Sequence, residues 1–197
     1  VIYHDRVFMM DPASRFLDTD DAGGQTESMA EMLQVHEGPI YTCELDDRCP
    51  GLVEYPIEEV IQDLNCYYLN NTVAYSIAFA LWNEVAVLKM FGVDFSYKGN
   101  LHFAEAGRAC VEFWLCKCSE AGMQIEVASS SGLLDTSVPL NEKLYGYHRL
   151  KDPLLPVLKD GVLTVQKQSS LEKKATEEQV LIGRHDEHLK PVEPNKW

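Results

Sequence analysis

The sequence predicts an α/β fold: a mostly parallel sheet with helices on both faces, followed by a polar C-terminal arm that is part extended and part helical. Three observations predict it. Strand-like and helix-like segments alternate from Val1 to Tyr147, the pattern of strand–helix units laid on a parallel sheet. Residues 70–97 compress one such unit into a single run of helix, strand and loop. Beyond Pro156 the chain turns polar and offers little to bury. The expected organisation is therefore an α/β domain over residues 1–156 and an arm over residues 157–197.

Taken in order, residues 1–10 read as a strand whose buried run Val7, Phe8, Met9, Met10 stops at Asp11 and Pro12, because proline cannot donate to a ladder. Residues 18–24 are an acidic turn. A short helix over 26–36, a strand over 38–45 and a shorter strand over 52–55 follow. Ile57, Val60, Ile61 and Leu64 have the i, i+3, i+4, i+7 spacing of an amphipathic helix that opens on Pro56. Residues 70–72 (Asn, Asn, Thr) are N-cap types ahead of a helix with Val73, Ile77, Ala80 and Leu81 on one face. The β-branched apolar run 85–93 then reads as a strand buried on both faces, with Gly92 and Asp94 at its end. Residues 95–104 read as a long loop. Residues 105–121 are a helix with a broad apolar face that includes Cys110, Cys116 and Cys118, and Gly122 ends it. Residues 123–129 are a strand, Ser129 to Gly132 a small-residue loop, and residues 133–147 turns. In the arm, residues 160–165 are an edge strand, residues 169–180 a charged helix, and residues 185–197 a tail.

Composition narrows the function. The chain has 197 residues, 46% of them apolar, enough for one domain with a core. No apolar run is long enough for a transmembrane helix, and no signal peptide is evident at Val1. Acidic residues outnumber basic ones 31 to 17, a net charge of −14, so nucleic acid and membrane surfaces are unfavoured partners. Six cysteines without CxxC or zinc-finger spacing argue for a reducing, cytoplasmic compartment.

In an open α/β sheet, ligands bind outside the carboxyl ends of the strands, so the loops at Asp11, Asp94 and Ser129 are expected to converge on a site. Asp94 is the leading candidate there, a carboxylate to hold Mg²⁺, a ribose hydroxyl or an attacking group. His102 and Glu105 offer general acid or base chemistry, and Arg108 an anion clamp. Asp11, Asn71, Thr72, Gly92, Ser129 and Ser130 complete the candidate binding set, with Asn71 and Thr72 at a helix N-terminus that favours phosphate. No set of residues has metal-site spacing, and the pair His185 and His188 lies in a polar tail with nothing to orient it.

Asn71, Val73, Ala74, Ala78 and Leu81, followed by an apolar strand from Leu88 that ends in Gly92 and Asp94, resemble the 6-hydroxymethylpterin pyrophosphokinase-like Rossmann family. More distantly they are similar to a bacterial sialyltransferase fold. Together with the Asp11-Pro12 strand end and the aromatic helix at 107–115, they look closest to bacteriophage-encoded members of this fold. The resemblance implies a Rossmann-like sheet and a nucleotide or nucleotide-sugar ligand. It also implies a transferase of a diphosphate or glycosyl group, working in the host cytoplasm. Such proteins open on a strand and a phosphate-cradling loop; here that loop is either lost or upstream of Val1. The alternative expectation is a non-catalytic virion or assembly protein on the same fold, a homo-oligomer or partner-bound through residues 157–197.

Overall fold

A computed structural model describes residues 4–19, 26–97 and 99–175. One compact unit closes at Thr136 and a second opens at Ser137. The first holds β1 (Val7–Phe8), α1 (Ser14–Leu17), α2 (Thr26–Val35), β2 (Ile40–Thr42), β3 (Leu52–Glu54), α3 (Ile57–Leu64), α4 (Thr72–Trp82), β4 (Val87–Met90), α5 (Leu101–Glu120) and β5 (Gln124–Val127). All its strand pairs are parallel. They form two small sheets, in the orders β1-β2-β3 and β4-β5. The α/β class and the parallel pairing are as expected, but the described strands do not join into one sheet.

α5 is the spine of this unit. Ala104, Gly107, Cys110, Val111, Trp114, Leu115 and Cys118 are its buried residues, a helical repeat of three and four that makes one continuous apolar face. Against it pack Ile77, Ala78 and Phe79 of α4, Met90 of β4 and Val60 of α3. Almost every residue of α4 is apolar, so spacing alone does not select its buried face. That face centres on Ala74, Ile77, Ala78 and Phe79, while Val73 and Leu81 pack at its margin. A ring cluster joins α4 to the first sheet, with Phe79 at 5.4 Å from Phe8 and 4.7 Å from Tyr41 between ring centroids.

Three expectations are corrected. The strand expected at 85–93 to be buried on both faces is four residues long and alternates, with Met90 inward and Val87 and Lys89 exposed. Its outer face is wet because Lys89 pairs there with Glu126 of β5 at 2.8 Å. Cys116, expected inside, is exposed, since the buried positions 114, 115 and 118 turn residue 116 away. Burial holds the Cys118 thiol up at about 11, so that cysteine packs as a small hydrophobe. Finally, α5 begins at Leu101 rather than 105, because Asn100 caps it by accepting from the Phe103 N–H.

Among its described residues the second unit contains two short 3₁₀ turns, Leu140–Glu142 and Tyr147–Arg149, and an antiparallel hairpin, β6 (Leu154–Lys159) with β7 (Val162–Lys167). Residues 168–175 are helical. The boundary expected at residue 156 falls inside β6, and the single edge strand expected near 160–165 is half of this hairpin. Asp160 and Gly161 both have positive φ, at 51° and 76°, the turn that two-residue hairpin loops require. The expected histidine pair at 185 and 188 and the tail lie outside the described residues.

Trp114 is fully buried, and its Nε1 donates to the Tyr68 carbonyl at 2.6 Å. Trp114→Ala is expected to cost about 3–5 kcal/mol in urea denaturation. Trp114→Phe keeps most of the packing and loses the N–H, a smaller cost of about 1–3 kcal/mol.

Candidate ligand-binding site

α4 starts where it does because Asn71 has extended backbone and its side-chain oxygen accepts from the Ala74 N–H at 3.0 Å. The same side chain donates from Nδ2 to the Gly107 carbonyl of α5 at 3.3 Å. Asn70 donates to the Ala106 carbonyl at 3.0 Å. The N-terminus of α4 is thereby fastened to the first half of α5. Gly107 permits a second close approach: a Cβ there would lie 2.7 Å from the Phe95 ring. Any larger residue at 107 would push Phe95 off the helix.

Between these parts lies a cleft of about 910 Å³. Its floor is the carboxyl end of β1, where Met10 donates its N–H to Thr72 Oγ1 at 3.5 Å and Asp11 pairs with Arg15 across the turn into α1. The N-termini of α4 and α5 form two sides, through Asn71 and Thr72 on one and Asn100 and His102 on the other. Phe95, Tyr97 and Phe103 form the third. Tyr97 and Phe103 meet edge to face at 5.4 Å and are each about half exposed. First-turn N–H groups lack intrahelical partners and carry the positive end of the helix dipole. Two such ends around one cleft, with the Arg15 guanidinium beside them, suit an anion. The aromatic side suits a planar ring.

The expected site residues divide between two places. Asp11, Asn71, Thr72 and His102 line the cleft, His102 from the first turn of α5 rather than from the loop where the sequence put it. Gly92, Asp94, Ser129 and Ser130 are exposed and are not among the lining residues. The Asp94 carboxylate accepts the Ser96 N–H at 3.1 Å and so shapes its own turn. The loop after β5 is stitched to the one after β4, since Ser131 Oγ donates to the Val93 carbonyl. Arg108 is engaged by two carboxylates, Glu112 and Asp135, each at 2.8 Å, which hold its guanidinium charged. It ties α5 to the turn at 133–135. Glu105 is exposed on α5, outside the cleft lining.

Sequence reasoning missed Arg15, Phe95, Tyr97, Asn100 and Phe103. The i, i+4 relation of Asp11 and Arg15, and an Asn three residues before Phe103, were signals present in the sequence. Among the described residues no three His, Cys, Asp or Glu side chains group closely enough to hold a metal ion. Nor is any described helix long and apolar enough to cross a membrane. Comparison with protein-family models, curated proteins and solved structures returned no match.

Asn71→Ala removes the α4 cap and the contact to Gly107 together. It is expected to cost about 1–2 kcal/mol by urea denaturation, more than a lone exposed cap. Asn70→Ala, which leaves the cap in place, is expected to cost less.

Proposed function

We propose that the cleft binds a nucleotide or nucleotide-sugar and that the protein is a transferase-like member of the Rossmann-like group it resembles, acting on a diphosphate or glycosyl group. One observation carries the reading: the N-termini of two helices and the end of β1 open on the same cleft, with an aromatic side next to them. Phosphates suit the helix ends and Arg15, and the ring suits Tyr97 and Phe103. The pairing orders β3-β2-β1 and β4-β5 support the fold part of the reading. Taken as the two halves of a doubly wound sheet, they would leave the ligand at the break between them, although the described strands form two separate sheets.

Within this reading His102 is the general acid or base, since it lines the cleft on the first turn of a rigid helix. Asp11 is the carboxylate of the cleft, and it fits Mg²⁺ that arrives on ligand phosphates, because that ion is held by one or two carboxylates plus the phosphates themselves. Bound there, Mg²⁺ would supply charge neutralisation. Asp94, exposed and turned to its own loop, sets the position of Phe95 instead of touching ligand. The second reading, a non-catalytic assembly protein, draws on one observation of its own, the exposed apolar hairpin of the second unit.

Thermal-shift screening with nucleoside diphosphates and nucleotide-sugars, with and without Mg²⁺, tests the proposal. A ligand at about 100 times its dissociation constant adds about 2.7 kcal/mol and raises the midpoint. Arg15→Ala and Tyr97→Ala are expected to abolish the shift, and Asp94→Ala to weaken it little. No shift with any of these ligands rules the transferase reading out.

A further inference from the structure

Two histidines that the cleft does not use meet at the other end of the first sheet. β1 and β2 run parallel with Val7 opposite Ile40, and the Val7 N–H donates to the Pro39 carbonyl at 2.9 Å. That register carries the residues just ahead of both strands to the same edge. His4 and His36, 32 positions apart in the chain, meet there with their Nε2 atoms separated by 2.6 Å. The ring centroids stand 4.9 Å apart with the planes 23° from parallel, so the rings meet nitrogen to nitrogen and not face to face.

Two imidazole nitrogens pointed at one another need something positive between them. A single proton satisfies both, carried by one ring and accepted by the other. A cation that both nitrogens can coordinate fits the same place. Zinc-type ions sit about 2.0–2.1 Å from each histidine nitrogen, which sets two such ligands about 3 Å apart. A few tenths of an ångström and a turn of the His4 ring open the pair that far. His4 is exposed in the irregular segment ahead of β1, so its ring has room to turn.

His36 is the fixed member of the pair. Its N–H donates to the Met32 carbonyl at 3.0 Å, extending the last turn of α2. Gly51 lies so close that a Cβ there would come within 2.3 Å of the His36 carbonyl oxygen. The His36 ring lies against Gly38, where a Cβ would be 2.9 Å from Cε1. Its Nδ1 is 3.1 Å from the Gly38 nitrogen and 3.2 Å from the Gly38 carbonyl oxygen. Both tautomers are thereby served. With the ring proton on Nε2, Nδ1 accepts from the Gly38 N–H. With the proton on Nδ1, the Gly38 carbonyl accepts it and Nε2 presents a lone pair. The second arrangement is the one metal-binding histidines use, with the far nitrogen donating to a backbone carbonyl.

We propose that His4 and His36 bind a divalent transition-metal ion of the zinc, copper and nickel group through their Nε2 atoms, with water completing its shell. Imidazole suits these ions, whereas Mg²⁺ and Ca²⁺ take oxygen ligands. Exposed Asp5 and Glu37 flank the pair in sequence and add negative charge beside it. The guanidinium nearest in sequence, that of Arg6, lies over the Phe79 ring at 5.8 Å. Bound at the pair, the ion staples the N-terminal segment to the end of α2. The cleft opens at the carboxyl end of β1 and the pair sits at its amino end, so the inference is independent of what the cleft binds.

Titration of the full-length chain with Cu²⁺ alone and with Ni²⁺ alone tests it, by calorimetry and, for Cu²⁺, by electron paramagnetic resonance. His185→Ala with His188→Ala is the background, since it removes the other closely spaced histidines of the sequence. One ion per chain is expected, with two nitrogen ligands in the Cu²⁺ spectrum and no displacement by excess Mg²⁺. In the same background His4→Ala and His36→Ala each weaken binding by about tenfold or more, and Gly38→Ala, which moves the ring, by about tenfold. Circular dichroism confirms that the variants are folded. No bound ion in that background overturns the proposal. So does a spectrum with a single nitrogen ligand, and so does an affinity unchanged by His4→Ala or by His36→Ala.

Discussion

The docking of residues 68–71 along α5 is the constraint on which the rest of the structure depends. The Tyr68 carbonyl accepts from both Trp114 Nε1 and Cys110 Sγ, and Asn70 and Asn71 then donate to Ala106 and Gly107. Helix carbonyls have a second lone pair, so α5 gives up none of its own ladder to receive these bonds. The segment is fixed to α5 over residues 106–114 by these four bonds. It delivers Asn71 as a cap at one defined point, and α4 must start there. The same fixture brings the N-terminus of α4 beside that of α5 and beside the end of β1. The cleft is a consequence of this stitching, not of any one loop.

Much of the fold was legible because single residues carried unambiguous signals. The Asn71 cap and the spacing of Ile57, Val60, Ile61 and Leu64 placed α4 and α3, and Gly122 marked the end of α5. The start of α5 was not legible: Gly99 and Asn100 looked like more of a polar loop, although Asn100 is the cap that begins the helix. β6 was hidden by Pro156, which reads as a breaker yet sits harmlessly on an outward-facing position of an edge strand. The Asp160-Gly161 turn that would have revealed the hairpin was read as the start of a lone strand.

The candidate site was half legible for a related reason. The strand-end rule gathered both Asp11 and Asp94 and put Asp94 first, but it speaks of where a residue sits and not where its carboxylate turns. Asp94 turns to the Ser96 N–H, and Asp11 to Arg15 at the cleft floor. Arg108 looked available as an anion clamp because one of its partners, Asp135, is brought to it only by the chain's return after β5, while Glu112 one turn along the same helix takes its Nε. The aromatic side of the cleft was invisible in the sequence, since Phe95, Tyr97 and Phe103 differ from core aromatics only in exposure. Helices α4 and α5 thus fix the shape of the site, and the loop between β4 and α5 gives it character.

Backbone amide NMR of the full-length protein during titration with a nucleoside diphosphate tests the central claim most directly. If two helix ends form one anion site, the amide signals of residues 72–74 and 101–103 shift together and fit one dissociation constant, with Tyr97 moving alongside them. Shifts confined to the loops around Asp94 and Ser129, or none at any attainable ligand concentration, would contradict the account.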